Sequence, residues 1–194
     1  MISLSNLILA SSSPRRKMLL QQLHLDFSII HSNVDESIDR MKGPEYVVTE
    51  LAARKARAVA SDYHSSYVIG SDTVVALDGH ILEKPKDEEE AKKMLSQLSG
   101  KTHSVFTGVA IIIEGQQEVF YEKTDVTFWE LTEQEILNYI ETGEPYDKAG
   151  GYGIQALGAL FVKEIKGDYA SVVGLPISKL YRKLKKLGFP SLRV

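Results

Sequence analysis

Over the first half of the chain, apolar residues fall in short runs separated by polar turns, and over the middle they lengthen into two β-rich stretches. Leu7–Ala10 reads as a first strand, and Pro14 to about Leu23 has helix-forming composition. A short strand is predicted around Phe27–Ser32. Between residues 44 and 62 the period becomes helical: Val48, Leu51, Ala52, Ala56, Val59 and Ala60 recur on one face, with Pro44 near the start. The segment YVIGSDTVVALDGHIL predicts a strand that runs past a polar break into a hairpin turning at Asp78 and Gly79. Asp87 followed by Glu90 resembles a capping box for a helix reaching about Leu98.

His103–Ile113 and Gln117–Trp129, joined by EGQQ, predict a long antiparallel hairpin. Thr132 and Glu135 are placed to cap a helix ending near Gly143. Asp147–Gly158 is glycine-rich and irregular. Further strands are predicted around Leu160–Ile165 and Tyr169–Val173, before a helix from Pro176 to about Leu187. Early strand–helix alternation combined with a long hairpin predicts an α/β fold with a mixed, twisted sheet flanked by helices. At 194 residues, with no internal repeat or low-complexity segment, the chain reads as a single domain over 1–194, with room for two lobes.

Composition narrows the function classes. A net charge of −3 supplies no overall basic field, and no aromatic–basic stripe is present, so nucleic-acid binding is not expected. The absence of cysteine excludes disulfides, thiolate zinc sites and cysteine nucleophiles, and suits a reducing compartment. No segment approaches the roughly 18 consecutive apolar residues of a membrane span. MISLSNLILASSS lacks an early positive region, so it reads as leading into a strand rather than as a signal peptide, and the expected location is the cytoplasm.

The chemistry concentrates in a few places. In ASSSPRRKMLL, an apolar strand delivers three serines, a proline and two arginines to a helix start. Pro14 fits the first helical position and Ser13 can cap it, while the free amides of that turn favour an anion. Ser11, Ser13, Arg15 and Arg16 are therefore phosphate-binding candidates; the alternative is a capped surface helix with two solvated arginines. Asp72, in GSDT after the strand Tyr67–Ile69, can hold a divalent cation or accept a proton from an attacking water. The other reading is an aspartate satisfying turn amides.

Asp35 and Glu36 follow a strand, and neighbouring strand side chains point opposite ways, so only one need face a site. Lys55 lies in line with the apolar face of its helix, so it either snorkels to water or meets an anion. Lys84 is held extended by Pro85. Asp147, Lys148 and Gln155 belong to PYDKAGGYGIQALGAL, whose glycines allow close approach to a ligand. That segment matches neither a P-loop nor a dinucleotide fingerprint. The five histidines are scattered, without metal spacing, and are assigned structural or surface roles.

Taken together and in order from residue 7 to about residue 187, ASSSPRR, VDES, ARKARA, GSDTVV, EKP and DKAGGYGIQ resemble the Maf family of nucleoside triphosphate pyrophosphatases. VVGLPISKL looks like the family's last strand and helix. The resemblance implies a fold related to the inosine triphosphate pyrophosphatases, with a cleft between two lobes. It implies hydrolysis of a nucleoside triphosphate to the monophosphate and pyrophosphate with a divalent cation, usually Mg²⁺, with Mn²⁺ or Co²⁺ as substitutes. The family's catalytic aspartate maps onto Asp72, and its specificity positions onto Arg15, Thr73 and Gln155. Arg, Thr and Gln there look like the branch acting on dTTP and UTP; the branch preferring 7-methyl-GTP has a bulky aromatic, Gln and Glu. The implied scheme has Glu36 and Asp72 on the metal, and Ser11, Ser13, Lys55, Lys84 and Lys148 on phosphate. A homodimer, no membrane partner and an association with septum formation come with the family, as does the alternative of a nucleotide-binding regulator.

Overall fold

Helix α2 (Pro44–Ala60) lies against two strands with nothing wider than a glycine between them. A Cβ on Gly70 would sit 2.2 Å from the Ala52 carbonyl oxygen, and one on Gly108 2.2 Å from that of Val48. Alanine dominates the helix face that meets them: Ala52, Ala53 and Ala56 are buried with Ile8, Val68 and Ala110. Small residues on both partners let the backbones approach, and α2 is thereby fixed to the sheet. The computed structural model describes residues 7–190, so the reading of the leading MISLSN lies outside the described residues.

Around that contact the sheet assembles as expected, mixed and flanked by helices. β1 (Leu7–Leu9) runs parallel to β2 (Phe27–Ile29) and β3 (Tyr67–Leu77), with Leu7 in register with Phe27 and with Tyr67. It is buried along its length, as a parallel strand covered on both faces should be. α1 (Pro14–Gln21) and α2 make the connections. β3 folds back at Asp78 and Gly79, both at positive φ, into antiparallel β4 (His80–Leu82). After α3 (Glu88–Leu98), β5 (Thr102–Ile113) and β6 (Gln116–Phe128) form the long hairpin, turning at Glu114 and Gly115. α4 (Glu133–Glu141) leads through 3-10 turns to β7 (Val162–Lys166), antiparallel to β6, and then to α5 (Tyr169–Val173) and α6 (Ile177–Lys186). The seven-stranded order is β2-β1-β3-β5-β6-β7, with β4 on β3.

The chain forms two compact units. The first comprises the chain up to Asp72, Thr107–Glu122 and the part from Gly174 onward; the second comprises Thr73–Phe106 and Lys123–Val173. β3 passes from the first to the second between Asp72 and Thr73. The core of the second unit is aromatic: Phe128 meets His103, Tyr152 and Phe161 edge-on at centroid separations of 4.9, 4.7 and 5.8 Å. His103, assigned a structural or surface role by sequence, is fully buried there, with Nε2 2.7 Å from the Tyr152 hydroxyl.

Three local expectations change. The polar break at Gly70–Thr73 does not interrupt β3, because the polar groups find partners inside the strand: the Ser71 hydroxyl lies 3.0 Å from the Gly108 carbonyl and 3.1 Å from that of Gly174. Tyr169–Val173 is a helical turn rather than a strand. There the Asp168 carboxylate accepts the Ser171 N–H at 2.6 Å and the Asp168 carbonyl accepts the Ser171 hydroxyl at 2.7 Å, local bonds that replace a ladder. At α3, Asp87 accepts the Glu90 N–H, but Glu90 returns to the Lys86 N–H instead of closing the box. The Thr132–Glu135 box of α4 closes in both directions.

Gly70→Ala should cost about 3 kcal/mol, since the added methyl meets helix backbone rather than a movable side chain. Urea unfolding measures it, and a loss below about 1 kcal/mol would show that α2 can shift. A second expectation concerns acid. Burial pushes the His103 imidazole down to about 4, with Asp125 opposing the shift. The unfolded chain takes up this proton near the ordinary 6.5 and the folded chain only near 4, so stability should fall as pH drops through that window. The contribution is up to about 3 kcal/mol and vanishes above the window. Unfolding of wild type and His103→Gln between pH 7 and pH 4 checks it: the variant should lose less, and identical acid sensitivity would refute it.

Candidate active site

The end of β1 and the start of α1 set out the first group. The Ser13 side chain caps α1 by accepting the Arg16 N–H at 3.4 Å, with Pro14 at the first helical position. The Ser13 N–H in turn donates to the Ser11 hydroxyl at 3.2 Å. Arg16 folds back, donating from Nε to the Gly174 carbonyl at 2.9 Å and from Nη1 to Ser11 Oγ at 3.4 Å. Its burial lowers the guanidinium pKa, while the Asp72 carboxylate, and more weakly Glu36, favours the charged form. Arg15 is half-buried on the same turn. The two arginines therefore divide: Arg16, a phosphate-binding candidate by sequence, is a half-buried cation anchored on the Gly174 carbonyl and Ser11.

Lys55 is the centre of this group. It is only 8% exposed, and its ammonium lies 2.7 Å from Asp72 Oδ1 and 2.7 Å from Glu36 Oε1. The apolar-face position of Lys55 thus resolves toward an anion, and the anions are the chain's own carboxylates. Asp72 is buried on β3, while the Glu36 side chain is 59% exposed. Arg54, one residue before Lys55, donates to the carbonyls of Asp35 at 3.3 Å and Ser37 at 2.9 Å, pinning the acidic loop to α2. Within that loop the carboxylates separate. Asp35 accepts the Ser37 N–H at 2.8 Å, and the Ser37 hydroxyl and then this N–H lower its pKa, while Glu36 turns to Lys55.

Two carboxylate oxygens converging on one ammonium form a small cation-binding geometry with one face open at Glu36. Among the described residues no group of three or more His, Asp or Glu side chains is arranged to hold a metal ion. One or two carboxylates, with further oxygens from phosphate and water, is nevertheless the donor set that Mg²⁺ takes in nucleotide enzymes. Glu36 and Asp72 fit that chemistry.

The remaining candidates belong to the second unit. Thr73 follows Asp72 on β3 and is half-buried. Lys84 is exposed beside buried Pro85. The EKP segment is tied to the glycine-rich one by the Gly150 N–H, which donates to the Glu83 carbonyl at 3.0 Å. Lys148 donates to the Asp147 carboxylate at 2.6 Å and to the Glu144 carbonyl at 2.7 Å, and its stem runs across Gly153, where a Cβ would lie 2.4 Å from Lys148 Cε. Gln155 is exposed between Ile154 and the 3-10 turn Leu157–Phe161.

Ser11, Ser13, Arg15, Glu36, Lys55 and Asp72 thus lie in the first unit, and Thr73, Lys84, Lys148 and Gln155 in the second. Two features escaped sequence reasoning: the anchorage of Arg16, and the Gly174 carbonyl that receives both Arg16 and Ser71. The only trace of the latter was VVGLP as a closing motif.

Residues 6–187 match the profile of the family described as Maf-like protein. The chain belongs to the Maf family. It is 59% identical over 186 residues to a dTTP/UTP pyrophosphatase of Geobacillus sp. (strain WCH70), covering 96% of this chain and 100% of that protein. It is 54% identical over 183 residues to a dTTP/UTP pyrophosphatase of Halalkalibacterium halodurans, covering 94% of this chain and 96% of that protein. Among solved structures, the Ham1 protein of Staphylococcus aureus superposes with a TM-score of 0.45 and 18% identity, over 64% of this chain and 72% of that one.

In this Maf chain, Lys55→Met would keep the buried stem and remove the charge between two carboxylates. A broken buried pair leaves Asp72 without its hydrogen-bonded counterion and with only the more distant Arg16 charge, so a loss of about 3 kcal/mol is expected, with Asp72→Asn in the same chain restoring most of it. Urea unfolding at pH 7 of both variants decides: equal losses would show that no uncompensated charge was involved.

Proposed function

We propose that this chain hydrolyses dTTP and UTP, and modified pyrimidine triphosphates of the same shape, to the nucleoside monophosphate and pyrophosphate. The observation that carries the reading is the buried Asp72, held by Lys55 beside Glu36, in a Maf chain whose relatives at 54–59% identity are dTTP/UTP pyrophosphatases. Asp72 is the group to orient water and take its proton as the water oxygen bonds to phosphorus. The bridge between the α- and β-phosphates then breaks, and pyrophosphate leaves. A divalent cation, Mg²⁺ or in its place Mn²⁺ or Co²⁺, held by Glu36 and Asp72, would offset phosphate charge.

Ser11, Ser13 and the first-turn amides of α1 are the neutral donors for phosphate oxygens. Lys55, Lys84 and Lys148 supply positive charge where negative charge develops. Arg15, Thr73 and Gln155 select the base; the Gln155 amide offers both a donor and an acceptor, which suits a pyrimidine edge. The reading places the enzyme in the cytoplasm as a homodimer; for the compartment, a cysteine-free chain suits a reducing environment. Among the described residues no helix is long and apolar enough to cross a membrane.

Release of pyrophosphate from a panel of nucleoside triphosphates with Mg²⁺ tests the proposal. Wild type should act on dTTP and UTP, and Asp72→Asn should lose about a thousandfold in kcat. Orthophosphate as product, or equal activity in the variant, would overturn it. Binding of dTTP without turnover under any of the three metals would favour a nucleotide-binding regulator of septum formation.

A further inference from the structure

The turn that carries Gln155 is closed at its neck by side chains from outside it. The Gly153 N–H donates to the Tyr139 hydroxyl at 3.1 Å, and the Leu157 N–H donates to Glu144 Oε1 at 3.4 Å. Those two amides bracket Gln155. The neck is tight: a Cβ on Gly158 would lie 2.7 Å from the Gly153 carbonyl oxygen and 3.0 Å from the Tyr139 hydroxyl. Burial raises the Tyr139 pKa well above its ordinary value; the Gly153 N–H opposes this, and the Glu144 carboxylate beside the hydroxyl adds to it. The hydroxyl thus keeps its proton while its oxygen accepts from Gly153. Glu144 is half-buried: its Oε2 is enclosed at the neck, while its Oε1 takes the Leu157 N–H on the exposed side.

We infer that Tyr139 and Glu144 are positioning residues for base recognition: they fix the backbone on both sides of Gln155 and so aim its amide at the pyrimidine. The inference rests on the dTTP/UTP reading and on Gln155 as a base-selecting group. Neither residue belongs to the catalytic cluster of the first unit, and neither is assigned contact with substrate. Their effect should therefore fall on selection of the base and on KM rather than on the chemical step.

Tyr139→Phe deletes one oxygen and leaves the Gly153 N–H unsatisfied. An orphaned buried donor of that kind corresponds to a loss of about tenfold. The variant should raise KM for dTTP and UTP about tenfold, change kcat less than about twofold, and narrow the preference for pyrimidine over purine triphosphates. Glu144→Ala should act in the same direction with a smaller rise in KM, because the Leu157 N–H it leaves can turn to water, and Glu144→Gln, which keeps an acceptor for Leu157, should recover most of the loss. In a Gln155→Ala background, Tyr139→Phe should add little, because the hydroxyl acts through that side chain. Amide hydrogen exchange should speed up over residues 153–157 in Tyr139→Phe without change in β1 or α2.

Wild-type KM and base preference in Tyr139→Phe, or the same rise in KM with and without Gln155, would overturn the inference. A wild type that prefers some other triphosphate would instead overturn the substrate reading. The same double-mutant cycle on that nucleotide, together with the exchange measurement, then decides the role of Tyr139 separately.

Discussion

The structure of the first unit follows from one contact, the backbone of α2 laid directly on β3 and β5 at Gly70 and Gly108. A helix packed on a sheet through full-sized side chains stands about 10 Å away, the separation typical of stacked layers. With glycine beneath and alanine above, that distance collapses, and a lysine on the same helix face comes within hydrogen-bond reach of the neighbouring strand. Lys55 lies on the apolar face between Ala52 and Ala56, and Asp72 lies two residues beyond Gly70 on β3. The 2.7 Å ion pair is therefore set by packing before it is set by charge. Because an ammonium so deeply placed is destabilising without partners, Asp72 and Glu36 are required by the position of Lys55 as much as they are served by it.

That arrangement explains how much of the site could be read from the sequence. The helical period placed Lys55 in an apolar stripe and left two outcomes, water or an anion. Periodicity cannot name the anion, because Asp72 and Glu36 lie on other elements and only the tertiary contact brings them in. Spacing likewise left Asp35 and Glu36 undecided, and only the family resemblance named Glu36; in the structure Arg54 grips the carbonyls on either side of it. The strand reading failed where one side chain overrode propensity. Tyr169–Val173 has the aromatic and β-branched residues of a strand, yet Asp168 captures the Ser171 amide and winds the segment into a turn. The serine-to-helix transition at Ser13–Pro14 and the Thr132–Glu135 box were legible because their chemistry is local.

The second unit inverts the proportion. Its glycine-rich segment looked irregular in sequence and is irregular in structure, but it is not loose. His103 from β5 meets Tyr152, Tyr139 from α4 meets Gly153, and Glu144 meets Leu157. Each anchor comes from outside the stretch from Gly150 to Gly158 that it holds. Tyr139 reads in sequence as another apolar position of α4, and nothing in its neighbourhood marks its hydroxyl. Polar tips on otherwise apolar side chains are where pattern analysis loses information: burial fixes the ring, and the partner of the oxygen depends on a fold that the pattern does not encode.

The two units therefore use burial for different ends. A buried ion pair is weak evidence for stability, since apolar residues of similar volume often serve as well or better. Retaining Lys55 and Asp72 in the interior of the first unit, with Arg16 half-buried beside them, fixes the direction of charged groups. It does so by making every other direction costly. In the second unit the buried rings are neutral, with His103 held uncharged and Tyr139 and Tyr152 held protonated, and the Glu144 carboxylate is the charged group beside them. They fix backbone instead, by giving amides and a glycine neck a single place to bond. Charged side chains oriented by packing suit the handling of phosphate, where the developing charge is large and its location is set by geometry. Backbone oriented by neutral hydroxyls suits recognition of a base, whose edge presents neutral donors and acceptors, and for which a fixed amide discriminates better than a mobile one.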